Sequence, residues 1–480
     1  MPTPPGTPRA QTPRPNIPRP NILWMIADDH RFDALGAAGD PLVRTPSLDA
    51  LAAGGVHFRR NYIMGGNSGA VCVPTRASIL TGVNPLRAHV GSRPGGPPGG
   101  GIAPDLPTLP AVLRQAGYRT FAIGKWHNDR EGFARGFGGG RHLFFGGMSD
   151  HRRVPVHAYD PTGAYPPEAR RIAEGFSSEL FADAAIAFLR DQGAAPDAGR
   201  GSGPEAPAPF FLYVAFTAPH DPRTAPSPYA EMYPPEAVPL PPNFCPDHPF
   251  DNGDLHTRDE ELAPHPRTPE AVRRHIADYY AMVSHLDAQV GRVLAALRAT
   301  GRDRDTIVVY TADHGLALGR HGLLGKQNLY DPSVRVPLIL SGPGLPPGRR
   351  IEALSMSYDL FPTLCALTGT PVPATVEGRS LLPLATGEQE RLHECAWAMY
   401  RYLQRMVTDG RWKLIRYYRS ERGGTDRLQL FDLQDDPWEM RDLSAEAAQA
   451  PRLRALAERL RGWQDALGDP LAAVPVLPVG

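Results

Sequence analysis

The stretch "NILWMIADD", Asn21 to Asp29, is a continuous apolar run that stops on two aspartates. A run of this length without polar alternation predicts a strand buried on both faces, the pattern of a parallel sheet covered by helices on each side. Four further runs read the same way: "TFAI" (Thr120 to Ile123), "FFLYVAFTA" (Phe210 to Ala218), "TIVVYTA" (Thr306 to Ala312) and "VPLILSG" (Val336 to Gly342). Helical patterns lie between them. The clearest runs from Thr268 to Leu297, with Thr268 as N-cap, Pro269 in the first turn, apolar residues at spacings of three and four, and Gly301 as a stop. Strands alternating with helices predict an α/β fold built on a large, mostly parallel central sheet flanked by helices.

Working outward, the pattern changes after about residue 385. "ECAWAMYRYLQRMVTDGRWKLIRYY" and "LQLFDL" read as antiparallel strands with a turn at Asp409-Gly410, and "APRLRALAERLRGWQDAL" as an amphipathic helix. The expected organisation is a disordered, proline- and arginine-rich N-terminal arm over 1–19, a catalytic domain over 20–385, and a small C-terminal α+β domain with an antiparallel sheet over 386–480. Two stretches, Arg93 to Asp105 and Asp191 to Pro209, read as surface loops.

The whole-chain numbers narrow the function classes. The 480 residues are too many for one ordinary compact domain, and 41% hydrophobic content can fill a real core. Lysine plus arginine and aspartate plus glutamate balance at 51 each, which argues against a nucleic-acid partner. The four cysteines (Cys72, Cys245, Cys365, Cys395) are scattered, so neither a disulfide framework nor a zinc knuckle is indicated, and Cys365 reads as a core thiol. No apolar run reaches half the length of a membrane span, so no membrane partner is expected. The N-terminus lacks the apolar core of a secretory signal, which makes a cytoplasmic protein the expectation. The oligomeric state is left open.

Function is written where the strands end. The run at Asn21 is followed by Asp28-Asp29, that at Thr120 by Gly124-Lys125-Trp126-His127, that at Phe210 by Pro219-His220, and that at Thr306 by Asp313-His314. In an open parallel sheet the carboxyl ends of the strands share one edge, and ligands bind there. Three aspartates in a small volume repel unless a cation sits among them. Hard oxygen donors suit calcium or magnesium, and a ligating His314 leaves room for manganese or zinc. Arg76, Lys125 and Lys326 add positive charge suited to an anion with several oxygens, such as sulfate or phosphate. His127 and His220 are candidates for proton transfer. Cys72 opens a short helix, "TRASILTG", whose N-terminus favours an anion. A thiolate nucleophile and an inert buried cysteine are both compatible with that position.

Together these residues resemble the type I sulfatases of the alkaline phosphatase superfamily. Cys72-x-Pro74-x-Arg76 with Leu80-Thr81-Gly82 looks like their signature, and "ADD", "GKWH", "APH", "YYAMVSHLDAQVG", "DHG", "RVP", "RWKLIRYY" and "LQLFDLQDDPWEMRDLS" continue the likeness from Asn21 onward. The resemblance implies an alkaline phosphatase-like fold and a cysteine converted by a formylglycine-generating enzyme to formylglycine, which hydrates to a geminal diol. It implies Asp28, Asp29, Asp313 and His314 as metal ligands, with the modified Cys72 as a further one and calcium as the expected metal (magnesium or manganese as alternatives). It implies that Arg76, Lys125 and Lys326 hold the nucleophile and the sulfate oxygens, that His127 assists the diol, and that His220 protonates the leaving oxygen. Two positions depart from the usual pattern. Thr75 stands where serine is more usual, and His314 where many members carry asparagine, a variant shared with phosphonate and phosphodiester hydrolases.

The function expected is hydrolysis of a sulfate monoester of a sulfated small molecule or, in preference, a carbohydrate. The alternatives are a choline-sulfatase, a phosphonate or phosphate ester hydrolase with the same site, and a non-catalytic binder of sulfated glycans. His151, Arg152, Arg153 and His321 are the candidates for substrate contact, His30 for support of the aspartate pair, and Arg335 for a structural ion pair.

Overall fold

The computed structural model describes residues 19–91, 100–192, 208–421 and 423–477. Most of the expected N-terminal arm, and the centres of the two expected surface loops, lie outside those residues. The remainder of the first loop is more ordered than expected, since Gly101–Ile102 pairs antiparallel with His89–Val90.

Eight strands form the main sheet: β1 (Asn21–Ala27), β2 (Val56–Phe58), β3 (Arg119–Lys125), β4 (Gly139–Phe144), β5 (Phe210–Ala215), β6 (Thr306–Ala312), β7 (Leu338–Ser341) and β8 (Arg349–Ile351), in the spatial order β8-β2-β7-β6-β1-β5-β3-β4. β1 lies at the centre, parallel to β6 from Asn21 opposite Thr306 to Ala27 opposite Ala312, and parallel to β5 on its other side. Only β7 is reversed, antiparallel to both β6 and β2. The run at Val336 therefore does not join the parallel set that its composition suggested. The chain between β6 and β7 carries no long crossover helix, only the four-residue helix Asp331–Val334, so it re-enters the sheet from the edge it left.

The run in β1 is apolar throughout because both of its faces are covered. Leu23, Met25 and Ala27 pack with Phe181 and Leu189 of helix α2 (Ser177–Asp191) and with Leu286, Val290 and Val293 of α3 (Pro269–Ala299). Ile22, Trp24 and Ile26 pack with Ala77 and Leu80 of α1 (Cys72–Thr81) and with Leu360, Leu364 and Cys365 of α4 (Leu360–Thr368). Each large side chain so buried contributes roughly 1.5–3 kcal/mol relative to exposure. Cys365 is the core thiol expected, and all four cysteines are free. The helix α3 starts as its sequence signals predict, with the Thr268 hydroxyl accepting from Ala271 N at 3.2 Å.

The C-terminal part forms an antiparallel sheet of β9 (Ala396–Tyr400), β10 (Gln404–Thr408), β11 (Trp412–Tyr417) and β12 (Arg427–Asp432), covered by α5 (Ala450–Leu467). A fifth strand comes from far away in the chain: Gly65–Gly66 pairs parallel with Met399 and Tyr400. Gly65 has φ 68°, and a Cβ there would sit 2.2 Å from the Met399 carbonyl oxygen, so only glycine permits this approach. No helix of the described residues is long and apolar enough to cross a membrane.

Candidate active site

The strand ends converge as the sequence predicts. Asp28 and Asp29 follow β1, Lys125 ends β3, His220 lies in the turn after β5, and Asp313-His314 follows β6. Asp29 (φ 70°) and His127 (φ 52°) both adopt the left-handed backbone region, a costly conformation for non-glycine residues that collects at functional sites. The turn at Asp29 is fixed from outside: Tyr279 of α3 donates its hydroxyl to Asp29 O at 2.8 Å and accepts from Arg31 N at 2.9 Å.

Helix α1 brings Cys72 to this edge. All ten of its residues are buried, and it stops at Gly82 with φ 68°. One turn in, Arg76 Nε donates to Asp313 Oδ2 at 2.8 Å and Arg76 Nη1 to Lys125 O at 3.0 Å. Position 76 lies one turn from residue 72 along the same face of the helix and ties it to two strand ends at once. Cys72 Sγ lies 3.0 Å from His127 Nδ1. Burial raises the thiol's pKa, but the Lys125 ammonium and the His314 contact bring it below the ordinary value.

The charged groups interlock. Lys125 Nζ pairs with Asp28 Oδ2. Lys326 Nζ lies 2.9 Å from Asp29 Oδ1, and His314 Nδ1 lies 2.8 Å from that same oxygen. Burial lowers the Lys326 pKa, yet the Asp29 and Asp259 carboxylates hold the ammonium well above its usual range. His314 Nε2 faces Asp28 Oδ1 and Asp313 Oδ1, each at 3.6 Å. These three atoms are fully buried and, among the described residues, have no hydrogen-bond partner.

Three unsatisfied ligand atoms, two carboxylate oxygens and the one imidazole nitrogen that each of them faces, test the expectation of a metal. A buried carboxylate oxygen without a partner is costly, and two facing an imidazole nitrogen fit a dication that all three ligate. Burial lowers the His314 pKa, but Asp313 and Asp29 lift it to about 10 as the chain stands. The cation would replace the proton those carboxylates draw onto the ring. The donor set, two or three carboxylates and one imidazole, fits calcium, magnesium or manganese. Cys72, Asp313 and His314 also present ligand atoms within 4.8 Å of one another, which places residue 72 at the same centre.

His220, with Asp221, presents a ligand atom within 4.8 Å of one on Asp29. Its Nδ1 lies 2.8 Å from Asp221 O and 3.2 Å from Asp221 Oδ1, which leaves Nε2 as the nitrogen free to face a ligand. Asp221 is held in turn by Arg258 through contacts of 2.6 and 3.0 Å. Arg258 also reaches Asp259 at 2.5 Å, and Asp259 lies 3.7 Å from Lys326 Nζ. Glu260 accepts from Leu324 N and Gly325 N at 2.8 Å each, fixing the loop that carries Lys326. Sequence reading missed Asp221, Arg258, Asp259 and Glu260. Asp221 adjoins a residue already singled out, but the other three sit in a segment with no strand before it and no motif around it.

The proposed substrate residues fare differently. His151 is buried with both ring nitrogens engaged, by Ser177 Oγ at 3.1 Å and by His220 O at 2.8 Å. It supports the turn of His220 and has no nitrogen left for a substrate. His321 is stacked on Tyr330 with ring centroids 3.8 Å apart and bonded to Asn243 at 3.0 Å, in the layer facing the small sheet. Arg152 lies over the Phe176 ring and Arg153 sits in a two-stranded ribbon with Glu174, both exposed. None of these four joins the cluster. His30 is satisfied by Tyr310 at 2.7 Å and Ala34 O at 2.8 Å, and supports the turn after the aspartates. Arg335 is structural, paired with Asp331 at 2.8 Å.

Gly147 closes the site over His127. Its carbonyl accepts from Lys125 Nζ at 2.5 Å, and a Cβ on it would lie 2.5 Å from His127 Nε2. Gly147→Ala should therefore push the ring away from residue 72 and lower kcat by roughly 10–100-fold, because displacements of about 1 Å cost on that order. Steady-state kinetics alongside a thermal melt will check this. An unchanged kcat would show that His127 is not held by this contact.

The chain is similar to known proteins along most of its length. Residues 20–370 match the family model described as Sulfatase, and residues 319–466 match that of the N-sulphoglucosamine sulphohydrolase C-terminal region. The chain is 30% identical to a choline-sulfatase of Rhizobium meliloti, over 89% of this chain and 82% of that one. It is 26% identical to an N-acetylglucosamine-6-O-sulfatase of Bacteroides thetaiotaomicron, over 93% of this chain and 87% of that one. Among solved structures, the phosphonate monoester hydrolase of Agrobacterium radiobacter superposes with a TM-score of 0.72 at 26% identity, covering 94% of this chain and 96% of that one.

Proposed function

From the premise that this chain belongs to the sulfatase family, and is thus a sulfuric ester hydrolase of alkaline phosphatase-like fold, we propose that it cleaves the sulfate monoester of a carbohydrate at a formylglycine matured from Cys72. Family members generally use a divalent metal and this modified residue. For this chain the reading assigns calcium to Asp28, Asp29, Asp313 and His314. The observation that carries it is the pair of buried clusters sharing His314, one with Asp28 and Asp29 and one with Cys72 and Asp313, in which Asp28 Oδ1, Asp313 Oδ1 and His314 Nε2 have no hydrogen-bond partner among the described residues.

The cysteine sulfur marks where the oxygens of the hydrated aldehyde would stand. A dication held by Asp28, Asp29, Asp313 and His314 would supply Lewis-acid polarisation of the sulfate group. Lys125 and Lys326, buried on either side of the aspartate pair, hold the remaining oxygens. Arg76 holds Asp313 and, through α1, the angle at which residue 72 meets the ester. One hydroxyl of residue 72 gives its proton to Asp313 and attacks sulfur, the bond from sulfur to the ester oxygen breaks, and His220 Nε2 gives the departing alcohol its proton. His127 Nδ1, next to residue 72, takes the proton of the second hydroxyl. Sulfate is then expelled and the aldehyde restored without water attacking the ester.

Two observations support a sugar over choline. The relatives' substrates include an N-acetylglucosamine sulfate, and a cavity of about 810 Å³ beside the site, within the range of pockets for drug-sized ligands, exceeds the needs of choline sulfate.

The first test is mass spectrometry of the tryptic peptide Asn61 to Arg76 from protein produced with a formylglycine-generating enzyme. The aldehyde mass at residue 72 is expected, together with release of sulfate from sugar sulfates. A persistent thiol, or cleavage of phosphonate esters well above sulfate esters, would overturn the reading. Chelation followed by single-metal restoration is expected to recover activity best with calcium, and a preference for manganese would overturn that assignment. His220→Ala should lower turnover of a sugar sulfate by about 10²–10⁴-fold and of 4-nitrophenyl sulfate far less, since a phenolate leaves with little protonation. Equal losses on both would remove His220 from the proton donor's role.

A further inference from the structure

Arg258, Asp259 and Glu260 are consecutive in the chain, yet each holds a different part of the site. Glu260 pins the segment itself. Its carboxylate receives the buried Arg267 at 2.8 Å and the Leu324 and Gly325 amides at 2.8 Å each. Asp259 accepts from Gln327 Nε2 at 2.8 Å and lies 3.7 Å from Lys326 Nζ. Arg258 reaches the other way, to Asp221, whose Oδ1 lies 3.2 Å from His220 Nδ1. The lysine given to the sulfate and the histidine given to the leaving alcohol are thus joined through one guanidinium.

Arg258 makes this joint by its shape. Nη1 donates to Asp221 Oδ2 at 2.6 Å and Nη2 to Asp221 Oδ1 at 3.0 Å, the two-pronged contact that a planar guanidinium forms with a carboxylate. Nη2 also donates to Asp259 Oδ1 at 2.5 Å. Nη1 touches Met148 Sδ at 2.8 Å, in the residue after the Gly147 that closes over His127. The arginine side chain is 46% exposed, whereas those of Asp221 and Asp259 are 6% and 9% exposed. Two nearly buried carboxylates therefore share one half-exposed cation, which can be replaced without emptying the core. The His220 ring depends on the first of them. Its Nδ1 is bracketed by Asp221 O at 2.8 Å and Asp221 Oδ1 at 3.2 Å, and two acceptors on one N–H fix the plane of the ring and so the direction of Nε2. Without Arg258, Asp221 is free to turn and the second acceptor is lost.

Resting on the sulfatase reading above, we propose that Arg258 is a positioning residue of the reaction: through Asp221 it aims His220 Nε2 at the departing oxygen, and through Asp259 it holds Lys326 at the sulfate. It acts through these two groups and not on the ester. Protonation of the leaving group and binding of sulfate then depend on the same side chain by separate routes.

The test compares phenyl sulfate with 4-nitrophenyl sulfate in the matured full chain. Their leaving groups are alike in shape but differ in how far they need a proton. In Arg258→Gln, kcat for phenyl sulfate is expected to fall roughly tenfold or more beyond any fall for 4-nitrophenyl sulfate, because a misaimed acid penalises the poorer leaving group. The inhibition constant of inorganic sulfate should rise roughly threefold or more, less than the loss of a direct charged contact would give. Asp221→Ala should reproduce the first effect alone and Asp259→Asn the second alone, a split that a general loosening of the site would not produce. Adding Arg258→Gln to His220→Ala should leave the ratio of the two kcat values where His220→Ala puts it. That ratio does not depend on how much of a preparation is folded, so a less stable variant is still read. Equal falls on both esters, an unchanged sulfate constant, or a further change of the ratio in the double variant overturns the proposal. A parent enzyme that cleaves neither ester overturns instead the reaction on which it rests.

Discussion

Cys72→Ser should leave the protein folded and nearly abolish turnover, with kcat lower by on the order of 10⁴–10⁶, the scale seen when a nucleophile that acts as a unit with its neighbours is removed. Residue 72 is buried at the start of α1 and its side chain is small, so either serine or alanine fits without a cavity of consequence. The two substitutions should nevertheless differ. A serine hydroxyl next to His127 Nδ1 can still attack sulfur, but the resulting ester has no second hydroxyl to expel sulfate. The expected result for serine is one equivalent of 4-nitrophenolate per enzyme followed by near silence, with the added sulfate visible by mass. Alanine should show neither. Sustained turnover by the serine variant would mean that water reaches the sulfated residue directly, and the role given to the second hydroxyl would fall.

The second large effect is on stability, at a place remote from the chemistry. Lys413 of β11 is fully buried, with Nζ 2.9 Å from Asp331 Oδ1 and 2.7 Å from Glu439 Oε1. Asp331 lies on the short helix that follows Lys326 and Gln327, and it also receives Arg335 at 2.8 Å. Burial lifts the Glu439 carboxyl to about 7 even with Lys413 beside it. Lys413→Met would leave Glu439 without a cation and Asp331 with Arg335 alone, and breaking a buried pair in this way costs roughly 3–5 kcal/mol. Urea denaturation should show the loss as a lower midpoint. Combining Lys413→Met with Glu439→Gln should recover part of it, because one fewer charge is left unpaired. A loss below about 1 kcal/mol would mean that water reaches the cluster and screens it. Since the network secures the segment that carries Lys326, KM for the sulfate ester should rise in the same variant.

Both predictions rest on residues that sequence reading treated unequally, and the contrast is physical. The parallel sheet was legible because a strand covered on both faces must be apolar at every position, and that signal is local. The site was legible because each strand leaves its last residue on one edge, so Asp28, Lys125, His220 and Asp313 needed no knowledge of their partners to be grouped. Arg76 groups with residue 72 through the Cys72-x-Pro74-x-Arg76 signature. His151 and His321 misled for the same reason. Their type suits a binding site, but only their neighbours in space, Ser177 with the His220 carbonyl and Tyr330 with Asn243, show the rings to be committed elsewhere.

By itself, then, the amino-acid sequence determined the class of fold, the central strand and its neighbours, the edge at which chemistry occurs, and the acids, lysines and histidines gathered there. Tertiary structure alone decided that β7 runs backwards, that Gly65–Gly66 completes the small sheet, and that Arg258 holds Asp221 beside His220. These are contacts between groups far apart along the chain, as with Lys326 and Asp29, 297 residues distant. A covered strand or a helix face imposes a period on its own residues. A single long-range partner imposes none, so it becomes visible only once the chain has closed on itself.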